Sequence, residues 1–113
     1  MFRVVALVVS LSVVATLFAQ GTPKIALSAN RMPTPEGRIQ VQGSGFTPKR
    51  NISSHLMRPD GTEYPVLPML SDDKGEFTHE IEALVLSAGV HELWIIDDTT
   101  KKSSNRVRFE VTQ

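Results

Sequence analysis

At 113 residues the chain has room for one domain, and its 12 basic and 12 acidic residues leave no net charge. The main basic cluster holds only Lys101, Lys102, Arg106 and Arg108. Phosphate binding needs a more concentrated positive surface, so we do not expect nucleic acid as a partner. The absence of cysteine excludes disulfides and thiol catalysis, and the fold must depend on its hydrophobic core.

Residues 1–19 have the layout of a secretory signal peptide. Arg3 supplies an early positive charge, and an apolar run broken only by Ser and Thr follows from residue 4 to residue 18. Ala19 is a small residue at which a signal peptidase can cut, with a cut after Gly21 as the alternative. This layout predicts export.

A retained membrane anchor is the other interpretation of the same segment. The apolar run is shorter than the roughly 20 residues that a spanning helix needs, and no second run of this kind follows it. We therefore predict a signal peptide over residues 1–19 and a domain over residues 20–113. That domain is secreted to the periplasm or the exterior, with no membrane span after cleavage.

The remaining chain is a series of short apolar runs separated by turn residues. The pattern predicts seven strands, over residues 24–28, 38–42, 52–57, 64–70, 76–82, 89–98 and 106–112. Residues 29–37, with two prolines, are predicted to form a loop, and residues 43–48 a turn. Residues 83–88 are a predicted connection with one helical turn. No longer segment has helical periodicity, so the predicted fold class is all-β.

Two of these runs carry extra information about their place in a sheet. In the last strand Val107, Phe109 and Val111 alternate with polar residues, so these three are expected to face inward. Residues 64–70 contain Pro65 and Pro68, which have no amide donor. This run is therefore an edge strand or a segment that crosses between sheets.

The run 89–98 holds the only tryptophan and is predicted to be a central strand. Two facings are possible: either His91, Leu93 and Ile95 point inward, or the alternate set with Trp94 and Glu92 does. An unpaired buried carboxylate is expensive, and the first facing leaves Glu92 in water. We favour the first facing, which places Trp94 on the outer face of its sheet.

Seven short strands at about ten-residue spacing are what an immunoglobulin-like β-sandwich requires. The sequence also resembles the bacterial immunoglobulin-like modules of extracellular proteins, close to the IPT/TIG group. Across residues 22–113 the resemblance is carried by the run from Ile39 to Pro48, Arg58-Pro59-Asp60-Gly61, Asp72-Asp73-Lys74-Gly75-Glu76-Phe77, Ala88-Gly89-Val90-His91 and the run from Ser103 to Val111. Its most specific part is Gly43-Ser44-Gly45-Phe46-Thr47-Pro48. It implies a spacer, adhesion or accessory module, and it informs architecture more than activity.

The chain departs from that family at one position. Members usually have an aromatic residue, commonly Tyr, two places after the glycine that opens the central strand, and here that residue is His91. A histidine can still donate a hydrogen bond to a nearby carbonyl. The sequence therefore does not predict the contact that the aromatic residue of other family members usually makes at this corner of the sandwich.

The favoured facing gives a candidate binding patch on the outer face of the sheet. Aromatic and arginine side chains dominate binding energy at protein interfaces. The candidate residues are Trp94, Ile96, Met57, His55, Arg106 and Arg108. The alternative is that the arginine stems cover the indole, which makes the same residues a solvated cross-strand cluster.

No catalytic or metal-binding motif stands out in the sequence. The pairs Asp72-Asp73 and Asp97-Asp98 lie in predicted turns, and the three histidines lie on separate strands. We expect no cofactor and no metal. The predicted function is a secreted, non-enzymatic binding or assembly module that contacts an unidentified protein or cell-surface component. The alternative is a carbohydrate-binding accessory module with Trp94 stacked on a sugar ring.

Overall fold

A computed structural model describes residues 21–113 of the chain. The predicted signal peptide and Gln20 lie outside the described residues. The elements, in chain order, are β1 (Lys24–Leu27), β2 (Arg31–Pro33), β3 (Arg38–Ser44), β4 (Asn51–Met57), β5 (Leu67–Leu70), β6 (Phe77–Glu82), a short 3₁₀ helix (Ala83–Val85), β7 (Gly89–Asp97) and β8 (Val107–Thr112).

These elements form two facing sheets. One sheet has three strands in the order β1-β3-β6, and the other has five strands in the order β2-β8-β7-β4-β5. Strand β2 runs parallel to β8, and the other pairs are antiparallel. The domain is therefore an all-β, immunoglobulin-like sandwich, and the predicted fold class is confirmed.

The core lies between the sheets and follows the alternation of the strands. In β3, Ile39 and Val41 are buried while their neighbours are exposed, and in β8 Phe109 and Val111 are buried between exposed or half-buried neighbours. Each fully buried side chain of this size contributes about 1.5–3 kcal/mol relative to its exposed state. The inward facing predicted for the last strand is confirmed for Phe109 and Val111, and Val107 packs against the core while half-buried.

The structure corrects the strand prediction in two places. There are eight strands in the described residues, because the predicted loop 29–37 contains β2. Met32, at its centre, is fully buried and pairs with Val111 of β8. The predicted turn 43–48 also starts later, since Gly43 and Ser44 belong to β3. The 3₁₀ helix and the position of β5 at a sheet edge agree with the sequence.

The glycines of the Gly43-Ser44-Gly45-Phe46 segment have separate structural reasons. A Cβ atom added at Gly43 would fall inside the ring of Phe77, which lies against the backbone there. Gly45 has a φ of +82°, a conformation that side-chain-bearing residues rarely adopt. Together they place Phe46 in the core, where its ring meets Phe77 edge-on at 5.5 Å between centroids. The motif therefore shapes the core at this end of the sandwich.

Buried polar side chains hold the loops at the same end. The Asp97 carboxylate accepts hydrogen bonds from the backbone N–H and the hydroxyl of Thr47, both at 2.8 Å, and from the N–H groups of Thr99 and Thr100 at 3.0 and 3.3 Å. Asp97 is only 2% exposed. One side chain thus joins the β3–β4 loop to the β7–β8 turn.

Candidate functional site

Strand β7 has the facing that we favoured from the sequence. His91, Leu93 and Ile95 are buried on its inner side, whereas Glu92 and Ile96 are half-buried on its outer side. Pairing with β4 puts His55 opposite Trp94 and Met57 opposite Glu92. The predicted binding residues of β4 and β7 therefore share the outer face of the five-stranded sheet.

We call this face the Trp94 surface; it comprises His55, Met57, Glu92, Trp94, Ile96, Arg106 and Arg108. Its indole is not exposed, however: Trp94 retains only 7% of its accessible surface. The His55 ring stacks on it at 5.4 Å and 11°, and the Arg106 guanidinium lies 3.9 Å from the ring centroid. Of the two interpretations of this patch, the structure supports the one in which an arginine covers the indole, with neighbours from the strands on both sides of β7 against the ring.

The charged groups of the Trp94 surface are largely paired with one another. The Glu92 carboxylate lies 3.3 Å from Nη1 of Arg106 and 3.8 Å from Nε of Arg108. His55 Nδ1 lies 3.3 Å from a carboxylate oxygen of Glu63. Ile96 lies further along β7, beside Ser53 and Ser103, and is not part of this charged group. The structure thus brings together most of the predicted patch as a self-satisfied cross-strand cluster.

On the inner side of β7, His91 is part of an aromatic stack. Its ring lies 5.3 Å from Phe109 and 5.8 Å from Tyr64, nearly parallel to both. Nδ1 lies 3.2 Å from the carbonyl oxygen of Gly89, to which it donates, and Nε2 accepts from the Tyr64 hydroxyl at 3.2 Å. Burial lowers the pKa of His91; the hydrogen bond to the Gly89 carbonyl opposes this effect, and the nearby Arg58 guanidinium adds to it. His91 is therefore a neutral structural residue. It donates a hydrogen bond to a nearby carbonyl, which the sequence analysis described as possible for a histidine at this position.

A second surface, which the sequence did not single out, lies at the open side of the sandwich. Between the edge strands β5 and β6 is a cleft of about 330 Å³, which we call the β5–β6 cleft. Its walls are mostly apolar and come from both sheets and from the 3₁₀ helix; they include Leu56, Leu67, Ile81, Val85, Leu86 and Leu93. The chain crosses from the five-stranded to the three-stranded sheet between β5 and β6, so no strand closes this side in the described residues.

Two strongly exposed apolar side chains contribute to the β5–β6 cleft. Among the described residues, six large apolar side chains are strongly exposed, and two of them, Leu67 of β5 and Val85 of the 3₁₀ helix, line the cleft. Leu67 is 43% exposed and Val85 is 72% exposed. Exposed apolar surface of this kind marks contact sites in soluble domains. A sequence signal was present, since both residues lie in apolar runs outside the regular alternation.

The polar residues at the cleft come from several elements. They are Ser54, Tyr64, His79, Glu80 and Glu82. Burial lowers the pKa of His79, although the adjacent Glu80 carboxylate opposes this effect. The His79 side chain is therefore more readily kept neutral than a free histidine, which suits an apolar cleft.

The acidic pairs in turns have structural roles. Asp72 accepts hydrogen bonds from the N–H groups of Lys74 and Glu76, each at 2.8 Å, and these bonds lower its pKa. Asp98 accepts the Ser53 hydroxyl. Residues 21–113 contain no group of three or more His, Cys, Asp or Glu side chains that could hold a metal ion. In the same range no helix has the length and apolar character needed to cross a bilayer.

Comparison with known proteins gave likenesses of structure and none of sequence. No family model matches the chain, and no curated protein matches it. Among solved structures the chain is similar to the CARDB domain of a protein from Pyrococcus furiosus, crystallised in complex with di-metal ions. The identity is 12%, the TM-score is 0.48, and the match covers 80% of this chain and 86% of that one.

Proposed function

We propose that the chain is an exported, non-enzymatic immunoglobulin-like module that binds a protein partner through the β5–β6 cleft. The observation that carries the proposal is the mostly apolar lining of this cleft, in which Leu67 and Val85 are strongly exposed. An apolar wall in water is a favourable place for a partner, because each apolar side chain removed from water on binding stabilises the complex.

The export part of the proposal is supported by the sequence alone. Residues 1–19 combine Arg3, an apolar run and Ala19 in the order of a signal peptide. The resemblance to IPT/TIG-like modules of extracellular proteins supports the same compartment, and we propose that the chain is a module of that kind. A protein partner in the periplasm or at the cell surface fits both points.

Other functions have less support. The carbohydrate alternative needs a free indole face, and both sides of Trp94 are occupied by His55 and Arg106. The Trp94 surface is a second proposed contact for the same function. It is favoured by Arg108, whose side chain is 74% exposed, and by Val90, which is half exposed near Met57.

Site-specific photo-crosslinking in the native organism tests this proposal. A photoreactive residue is placed at Val85 in the cleft, at Val90 beside the Trp94 surface, and at Arg31, whose side chain is 69% exposed on the opposite edge strand. We expect one protein adduct from Val85 and none from Arg31. Adducts from Val90 alone would move the contact to the Trp94 surface, and the absence of any adduct would refute a protein-binding function.

A further inference from the structure

Strand β6 offers a free edge for pairing with another chain. One edge of β6 pairs with β3 over six residues, and no strand pairs with the other edge in the described residues. Every residue of β6 keeps its N–H group, since the strand contains no proline. The facing edge strand β5 contains Pro68, so one of its four residues has no N–H donor. Of the two edges of the cleft, β6 is the better template for an added strand.

The alternation of β6 decides where the side chains of an added strand would go. Ile81 and His79 are the more buried residues and face the space between the sheets, whereas Thr78, Glu80 and Glu82 are exposed, and both glutamates pair with Arg38. Directly paired residues of neighbouring strands put their side chains on the same face. Every second side chain of an added strand would therefore enter the β5–β6 cleft. Its 330 Å³ is about twice the ~150 Å³ cavity that holds one benzene molecule, so two apolar side chains fit.

The outer face of β6 has excess negative charge. Nη1 of Arg38 lies 3.1 Å from Glu80 and 3.6 Å from Glu82, so two carboxylates share one guanidinium. Both carboxylates are close to half exposed. Basic side chains on the outward positions of an added strand would complement them, since opposite charges on cross-strand pairs are favourable.

The same charges argue against a second copy of this chain as the occupant. Antiparallel pairing of β6 with the β6 of another copy would bring Glu80 and Glu82 of both copies onto one face. Four carboxylates would then share two Arg38 side chains, and like charges on directly opposite strand positions are destabilising.

We propose that the partner binds as an extended segment with alternating apolar and basic residues, which pairs with the free edge of β6. Its apolar side chains fill the β5–β6 cleft, and its basic side chains lie beside Glu80 and Glu82. This inference rests on the proposed function of the cleft. It adds the class of partner and the mode of recognition, in which main-chain hydrogen bonds supply affinity and side-chain pockets supply specificity.

A labelled ten-residue peptide of alternating Val and Lys tests the inference by fluorescence anisotropy with protein expressed from the full sequence. Two further peptides carry N-methyl groups on alternate residues, one in each phase, because only one phase donates its N–H groups to β6. We expect binding of the parent peptide and at least about tenfold weaker binding for one N-methylated phase only. A peptide of the same composition with separate Val and Lys blocks should also bind at least about tenfold more weakly.

Protein variants check the two faces separately. Leu67→Glu should weaken peptide binding at least about tenfold by placing a carboxylate in the cleft wall. The double variant Glu80→Gln, Glu82→Gln should reduce the salt dependence of binding. Thr112→Glu serves as the control, because Thr112 lies in β8, near the edge of the five-stranded sheet that is opposite β5. Both test variants should melt cooperatively, since all three positions are exposed or half-exposed.

The outcomes separate this inference from the proposed function. Equal binding of both N-methylated peptides would overturn strand pairing. Absence of peptide binding, with the Val85 adduct still formed in the organism, would overturn the inference and leave the function standing. A dimer of the protein that Leu67→Glu dissociates would assign the cleft to a second copy instead. Absence of both peptide binding and adduct would overturn both proposals.

Discussion

Replacing Asp97 with Asn should reveal how much one carboxylate stabilises the loop end of the sandwich. The carboxylate accepts four hydrogen bonds, two of them from Thr47 at 2.8 Å, and is 2% exposed. An amide keeps the shape but turns one acceptor oxygen into a donor, which then faces N–H or O–H groups. Hydrogen bonds to a charged group contribute about 1.5–3 kcal/mol each. We therefore expect a loss of about 3 kcal/mol in the free energy of unfolding.

Urea unfolding followed by circular dichroism and by the fluorescence of Trp94 measures this loss. For an m-value of roughly 1.5 kcal/mol/M, the midpoint should fall by about 2 M. Asp98→Asn is the matched control, because the Asp98 carboxylate has the Ser53 hydroxyl as its partner and should lose less than about 1 kcal/mol. Equal midpoints for the two variants would refute the assignment of Asp97 as the anchor.

Acid titration gives an independent check of the same residue. Burial alone raises the pKa of Asp97, but the hydrogen bonds from Thr47, Thr99 and Thr100 outweigh it and hold the pKa below its usual 3.8. A depressed pKa in the folded state means that the carboxylate stabilises the fold above pH 3.8 and that this contribution is lost as pH falls through the folded value. The Asn variant should lack this part of the acid-induced loss of stability.

Three further variants test the packing of the sandwich. His91→Phe keeps the aromatic stack and removes a group whose folded pKa lies below 6.5, so the loss of stability on lowering the pH from about 7.5 to about 5 should shrink, with His79 supplying what is left. Arg106→Ala removes the guanidinium from the Trp94 ring, so acrylamide should quench the indole more strongly while stability falls by only about 0.5–1 kcal/mol. Gly43→Ala should destabilise the domain by about 1–3 kcal/mol in urea unfolding, because its methyl group overlaps a core ring.

Each of these predictions has a result that would contradict it or a control variant to compare with it. Unchanged pH dependence in His91→Phe would mean that His91 is not kept neutral by the fold. Arg108→Ala should leave quenching of the indole unchanged, and an equal effect of both arginine variants would contradict the stacked arrangement. Gly61→Ala meets no neighbouring atom, so its cost should stay near the ~1 kcal/mol of a residue forced to positive φ.

The sequence predicts the strands well where alternation is regular. In β3 and β8 every second residue is apolar, and those positions face the core with Val107 half-buried. The facing of β7 was predicted from the cost of burying Glu92 and is confirmed. The expectation that this facing leaves Glu92 in water is wrong, because its side chain is only 16% exposed and is paired with two arginines. These strands could be predicted because residues close together in the sequence determine which face of each strand is buried.

Strand β2 could not be found in this way because its pairing is not local. It has three residues, ends in Pro33, and runs parallel to the last strand of the chain. Met32 is buried through contacts far away in sequence, which a window of residues 29–37 does not contain. The prediction of a loop failed for that reason.

The burial of Trp94 depended on register, which the sequence left open. His55 covers the indole because the β4–β7 pairing puts the two residues directly opposite each other. Arg106 reaches the ring from the β8 side of the sheet. A shift of one residue in the β4–β7 register would have moved His55 to the other face and removed its ring from the indole. The sequence therefore predicted which residues lie near one another on this face, but it did not predict how exposed they are.

The two surfaces differ in what a partner could still gain from them. On the Trp94 surface the ring is already stacked and Glu92 is already paired, so a partner would replace contacts that exist within the chain. At the β5–β6 cleft, Leu67 and Val85 face water. Burying one such side chain is worth up to about 1.5–3 kcal/mol, and the free edge of β6 adds main-chain hydrogen bonds. Binding energy is therefore available at the cleft because the fold has not used it.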